Sequence, residues 1–504
     1  VPRTITAIAL LFAACAAGTV AAAQELRIGL QDDADILDPD QSRTFVGRIV
    51  YAGLCDKLVD IDPDLTIVPM LATGWEFSDG GTTLTMQLRD GVTFHDGTPF
   101  DAAAVVANID RSKNLPESRR KSELASIESA EATGPLEVTM KLGAPDATLL
   151  SQFADRAGMM LSPTATEAMG LDFGLAPVCS GPFKFVERVQ QDRIVLEKFP
   201  EYWNADAIHL ERVVYLPIPD TTVRFANLRA GDLDMLERLA ATDLAAAKAD
   251  PDLTVESAVS LGYQGVTMNV GNGPRADNPL GRSALVRQAL SLSIDRGALN
   301  QVVFEGAFAP GNQPFPPGSA WYDERFPVPT RDVAQAKALL AEAGHPDGVD
   351  IELQTTNNPV QLQVAQVLQA MAAETGIRLN IVSKEFATQL KDQTAGDFEA
   401  SSIGWSGRTD PDGNIHQFQT CGGGINDSRI CIPEVDELLN AARVGEDFAA
   451  RKAAYDDARD ILVKEGSIMY LYHPTWIWAL DDAVTGFVPY PDGMIRLEGV
   501  RKAG

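Results

Sequence analysis

Histidine and cysteine are scarce in this chain of 504 residues, with five of each. No HxH, HxxxH or CxxC spacing groups them, so a metal centre built from these residues lacks its usual framework. Catalytic signatures are missing as well. There is no GxSxG elbow, no HExxH, no GxxxxGK[ST], and no GxGxxG between a strand and a helix. Gly422-Gly423-Gly424 sits between two cysteines with no Lys or Ser/Thr pair behind it. The acidic runs Asp60-Asp62-Asp64 and Asp410-Asp412-Asn414 lack the glycine and terminal glutamate of a calcium loop. Carboxylates are so numerous that no glycosidase-like pair can be singled out.

Positive charge is also short, 42 Lys and Arg against 70 Asp and Glu. Residues 1–23 hold one Arg and no acid, so the rest carries 41 − 70 = −29. Such a surface repels nucleic acid and anionic membrane, and neither is expected as a partner. After residue 23 no apolar run approaches the ~20 residues that span a bilayer.

What is present begins with an export signal. Arg3 precedes an apolar stretch from Ile5 to Ala14, and Ala21-Ala22-Ala23 offers a cleavage site before Gln24. A lipid anchor at Cys15 is the rival reading, and the bulky Phe12 fits a lipobox poorly. In an exported chain the four remaining cysteines favour disulfides. Cys421 and Cys431 close a short glycine-bearing loop, which leaves Cys55 with Cys179 as a long-range staple; metal ligation is the alternative. The remaining ~480 residues exceed what a single core usually serves, so two or more lobes are expected.

Local patterns give an α/β fold. Residues 71–111 read as a hairpin turning at Asp79-Gly80-Gly81, a strand with Leu84, Met86 and Leu88 on one face, a second turn at His95-Asp96-Gly97 and a helix from near Phe100. From 331 to 405, helices and strands alternate. Asp332 caps a helix ended by Gly344, a strand follows at 350–355, and a second helix stops at Gly376. A strand at 378–382, a helix at 386–394 and a strand at 398–403 complete the series. Alternation of this kind predicts a mainly parallel sheet with ligand space at the strand C-termini.

The wording of 71–111, "LA..W..S.DG.T.T..LR.GV.FHDG.PF.A..V", resembles the hallmark segment of the family 5 solute-binding proteins of ABC importers, the peptide, opine and nickel group. Val178-Cys179-Ser180-Gly181-Pro182-Phe183-Lys184-Phe185, Tyr202-Trp203-Asn204, Arg229-Ala230-Gly231-Asp232-Leu233-Asp234, Val286-Arg287-Gln288-Ala289 through Ile294-Asp295-Arg296, and Pro433-Glu434-Val435-Asp436 are further phrases of that family in its order. The resemblance implies a periplasmic-binding-protein-like two-lobe fold (class II, cluster C type) with an inserted subdomain. The boundaries it implies are a signal at 1–23, a discontinuous lobe I at 24–66, 180–268 and 478–504, an insert at 67–179, and lobe II at 269–477, with hinge crossings near 268 and 478. It also implies a monomeric, periplasmic, non-enzymatic receptor without a cofactor, delivering a small-molecule or peptide solute to membrane permease subunits. The alternative of another class is a secreted hydrolase acting on glycans or peptides.

The candidate site is Gly404-Trp405-Ser406-Gly407-Arg408-Thr409-Asp410-Pro411-Asp412-Gly413-Asn414, where an indole, a guanidinium and carboxylates share one irregular loop. Trp405 offers a stacking face, and Arg408 a fork for a carboxylate or phosphate. Dipeptide binders of the family place an Asp shortly after the Trp to hold the peptide ammonium. Here Arg408 stands at about that place in a shorter loop, so Asp410 is the substitute and an anionic solute gains ground. Thr44 and Phe45 lie in the loop after the first strand, which by the same resemblance faces the cleft; Tyr263, before the first crossing, and Trp476, near the return crossing, are further candidates. His416 is a weak metal candidate on the analogy of nickel-binding relatives.

Overall fold

The structure, a computed structural model, describes residues 24–445 and 447–503. The expected signal and Cys15 lie outside the described residues. Three sheets organise the chain. A seven-stranded sheet runs in the spatial order Leu253–Val259, Thr475–Asp481, Met235–Leu236, Glu25–Leu30, Arg212–Pro217, Arg193–Lys198 and Phe183–Val189. It is therefore assembled from three separated stretches of sequence. A four-stranded antiparallel sheet, Ala72–Ser78, Thr83–Leu88, Glu137–Leu142 and Ile127–Gly134, is built wholly from the segment between them. Each of the two has its own apolar core, and Leu84, Met86 and Leu88 point into that of the smaller sheet.

The third sheet has six strands in the order Ala309–Pro310, Ile468–His473, Tyr263–Met268, Ala400–Trp405, Val349–Thr356 and Ile377–Lys384. The alternating series is seen as expected. Asp332 caps helix Val333–Glu342 by accepting from Gln335 N, and Asn358 caps helix Pro359–Ala373 by accepting from Val360 N and Gln361 N. Helix Phe386–Ala395 ends at Gly396 with φ 78°. The parallel expectation needs correction. Val349–Thr356 pairs in parallel with Ile377–Lys384 and Ala400–Trp405, whereas Tyr263–Met268 pairs antiparallel with Ala400–Trp405 and Ile468–His473. Only strands linked by crossover helices are forced parallel; Tyr263–Met268 enters from the other sheet and runs the opposite way.

The crossings differ too. Tyr263–Met268 belongs to the six-stranded sheet and Thr475–Asp481 to the seven-stranded one, so the chain passes between sheets at 260–262 and at Pro474, not near 268 and 478. Apolar alternation continues through both strands and hides the change of sheet; the interruptions are Gly262 and Pro474 themselves. The two crossings are tied together. Ser260 N donates to Pro474 O (3.1 Å), and the His473 ring bonds through Nδ1 to Gly262 O (2.7 Å). A carbonyl cannot donate, so Nδ1 carries the proton, and burial pushes His473 down to about 4, keeping the ring neutral.

Both cysteine pairs are bonded, Cys55 to Cys179 and Cys421 to Cys431. Cys55 closes helix Phe45–Leu54 just before the four-stranded unit, and Cys179 follows it. This staple joins the two ends of the inserted segment.

Candidate functional site

A cavity of about 110 Å³ lies between the sheets. Its wall draws Gln31 and Asp32 from the end of strand Glu25–Leu30, Phe45 from the first helix, Trp476 from the seven-stranded sheet, Arg120 and Arg156 from the inserted segment, and Tyr263, Gln264 and Trp405 from the six-stranded sheet. Strand C-termini thus supply much of it, as an open α/β sheet favours.

Four expected aromatic residues line this cavity. Phe45 and Trp476 stack with centroids 4.8 Å apart and planes 4° from parallel, and Trp476 Nε1 donates to Pro491 O (2.9 Å). Tyr263 and Trp405 are paired in register on adjacent strands. Trp405 meets Phe418 edge to face at 4.9 Å and donates from Nε1 to Asn414 Oδ1 (3.1 Å). Beside Trp405, a Cβ on Gly404 would come within 2.3 Å of the Gln264 amide carbon, so any side chain there would displace Gln264. Gln264 therefore lies directly over the backbone that presents Trp405.

Three other expected residues do structural work away from the cavity wall. Thr44 caps helix Phe45–Leu54 by accepting from Gly47 N, and its hydroxyl donates to Asp35. Asp410 is taken by Arg451, whose Nη2 donates to both carboxylate oxygens at 2.7 and 2.9 Å. Arg408 folds over Trp405, its guanidinium carbon 4.1 Å from the ring centre, and pairs through Nε with Asp155 of the inserted segment. Asp155 also accepts from Arg48 Nε at 3.0 Å, and Arg48 Nη1 donates to Ser406 Oγ at 3.1 Å. Burial alone would raise the Asp155 carboxyl, but Arg408, Arg48 and Arg156 together hold it well below the usual range. A second pin crosses the cleft where Arg43 pairs with Asp427 (2.6 Å) and donates to Thr394 Oγ1 (2.7 Å). His416 bonds through Nε2 to Asn440 Oδ1 (2.9 Å), and no cluster of three or more His, Cys, Asp or Glu is placed to hold a metal among the described residues.

The charged residues of the wall were not foreseen. Asp32, Glu237 and Asp427 supply carboxylates; Arg43, Arg120, Arg156 and Arg238 supply guanidinium groups. Asp32 had a sequence signal, since it lies two residues past the end of the first strand. Arg156 had none, because it reaches the cavity only through the fold of the insert.

The arrangement, two α/β sheets joined by two bonded crossings over a cavity lined from both sides, is that of a two-lobe periplasmic binding protein. The chain belongs to the bacterial extracellular solute-binding proteins, family 5, whose model matches residues 66–426. It is 30% identical over 494 residues to the glutathione-binding protein GsiB of Salmonella paratyphi A, covering 96% of this chain and 95% of that protein. It is 29% identical over 499 residues to GsiB of Pectobacterium atrosepticum, covering 96% of each. Among solved structures it is similar to the dipeptide binding protein of Pseudoalteromonas sp. SM9913 in complex with Met-Leu, with 25% identity, a TM-score of 0.88, and coverage of 95% of this chain and 100% of that one. The binding protein AgaA of A. tumefaciens R10 in complex with agropinic acid gives 26%, 0.87, 95% and 99%. This is a solute-binding protein. No helix among the described residues is long and apolar enough to cross a membrane.

Proposed function

We propose that the protein is the periplasmic receptor of an ABC importer, a monomer that captures a small peptide or peptide-like solute and hands it intact to membrane permease subunits. One lobe comprises the seven-stranded sheet with its inserted four-stranded unit, and the other the six-stranded sheet with the helices after it. The lobes rotate about 260–262 and 473–474 and close over the solute. The observation that carries this reading is a cavity walled from both sheets and the insert, with the Arg43–Asp427 pair in its wall and the Arg408–Asp155 pair joining the two sides outside it. Relatives that bind glutathione, a dipeptide and agropinic acid support an amino-acid-derived cargo. The hydrolase alternative is set aside on the family match.

A thermal-shift screen over glutathione, dipeptides, agropinic acid, glycosides and metal chelates tests it. A solute bound with micromolar Kd and present at ~1 mM stabilises by about 4 kcal/mol through RT ln(1 + [L]/Kd). Solution scattering should show contraction on binding. If nothing stabilises the protein, or the solute emerges cleaved, the reading is wrong.

A further inference from the structure

Most charges of the cavity wall are already answered. Asp427 pairs with Arg43 at 2.6 Å, Glu237 with its neighbour Arg238 at 3.3 Å, and Arg120 with Glu123 behind the wall. Two are not. The Asp32 carboxylate has no ion pair within 4.0 Å among the described residues and accepts a hydrogen bond from Gln31 Nε2 (3.1 Å). Arg156 likewise has no ion pair among the described residues. It is 2% exposed, donates from Nη1 to Ser42 O (3.0 Å), and its Nε meets no acceptor.

The surroundings of Arg156 sharpen the imbalance. Arg48 and Arg408 both pair with Asp155 and Arg120 pairs with Glu123, so the neighbouring carboxylates already have guanidinium partners and Arg156 pairs with neither. A buried charge without a partner is costly, and a carboxylate delivered by a ligand would offset it with a planar two-pronged contact. Asp32 poses the complementary problem at the end of the first strand. Asp410, the carboxylate nearest in sequence to the expected ammonium anchor, is occupied by Arg451.

Resting on the receptor reading above, we propose that the captured solute is a zwitterion whose ammonium group is held by Asp32 and whose carboxylate is held by Arg156. The amine anchor of this protein thus sits on the lobe of the seven-stranded sheet, not in the loop after Trp405. Purely neutral solutes leave both groups unanswered, and purely anionic ones leave Asp32 unanswered.

Calorimetry with matched probes tests this on the full protein. Glutathione and Met-Leu are each titrated as the free compound, with the amine acetylated, and with the carboxylates converted to amides, into wild type, Asp32→Asn and Arg156→Gln. The expected result is at least a tenfold loss on acetylation and on amidation in wild type. The losses pair off: Asp32→Asn is indifferent to acetylation and Arg156→Gln to amidation, while each keeps the other sensitivity. The wild-type arms stand even if a variant fails to fold. Capped and free probes binding equally, or both caps costing the variants as much as wild type, would overturn the proposal and leave the receptor reading intact. So would tight binding of a neutral glycoside with no binding of amino-acid-derived solutes. Binding of nothing in the panel would overturn both.

Discussion

Arg408 and Asp155 lie 253 positions apart in sequence, on opposite sides of the cleft, and form a buried ion pair. Arg408 brings its charge from the loop after strand Ala400–Trp405, and Asp155 brings its own from the inserted segment. The closing motion proposed above would make this pair and opening would break it. The pair makes the closed form electrostatically self-sufficient at that point, with Arg48 as a second donor to the same carboxylate.

Asp155→Asn should therefore favour the open form. Removing one partner of a buried pair costs about 3–5 kcal/mol if the geometry is kept, and opening the cleft returns the stranded Arg408 to water. The radius of gyration of the free variant, measured by solution scattering, should exceed that of wild type. Solute affinity should fall in proportion to the closed fraction. Unchanged dimensions and affinity would remove this pair from the closing mechanism.

Binding of amine-bearing solutes should weaken as pH falls below about 6. Burial lifts the Asp32 carboxyl to about 6, with Arg238 opposing and Glu237 reinforcing the rise, and with Gln31 and Arg224 opposing it. Above that value the carboxylate can hold an ammonium; below it the group takes its own proton. The free protein shows the linked effect. The folded form binds this proton more tightly than an unfolded chain with its pKa near ~3.9, so the contribution of Asp32 to stability declines from about pH 4 to pH 6. Asp32→Asn should flatten both curves in parallel calorimetric and melting series.

Loss of the two disulfides should be unequal. Cys55–Cys179 spans 124 residues and Cys421–Cys431 spans 10. The chain-entropy relation gives about 5 and about 3 kcal/mol respectively. Paired Cys→Ala variants compared by denaturant midpoint should rank in that order, and the reverse ranking would show that native packing dominates.

Beside the charged cavity lies a second chamber of about 250 Å³, sharing Gln31, Arg238, Gln264, Gln361, Pro474 and Trp476 with it. Apart from Arg238 its wall is uncharged, with Phe304, Phe308 and Tyr472 among it. Val360→Trp should fill it. Affinity for solutes carrying a large uncharged group should drop by about tenfold or more, roughly 1.4 kcal/mol, while the smallest solutes bind as before. Equal losses for both would place the large group elsewhere.

The sequence carried the local half of this structure well. Period-two and helical spacing with Asn, Asp and Gly punctuation located the hairpin at 72–88 and the alternating series from 333 to 405, because those signals live within a few residues. Side chains chosen for aromatic surface, Phe45, Tyr263, Trp405 and Trp476, do line the cavity. Charges chosen by position in the loop after Trp405 do not, because their partners come from afar. Arg451 lies 41 residues from Asp410, and Asp155 comes from another structural unit. A free charge can be told from an occupied one only after long-range pairing is known. That is why Asp32 and Arg156 emerged from the fold and Arg408 and Asp410 receded into it.

The bond between His473 and Gly262 has a consequence for motion. Two strands that travel in opposite senses between halves could flex separately, giving a loose joint with many intermediate openings. Fastened to each other, they would act as a single wrist in the closing motion proposed above. A neutral imidazole holding that knot does not change charge at ordinary pH, so acid or base near neutrality will not slacken it. Gly262 is also the residue at which a Cβ would lie 1.9 Å from Trp405 O. A side chain at Gly262 would push on the backbone of residues 405–407, which carries Trp405 into the cavity wall, so a change at the pivot should be felt first as a change in grip.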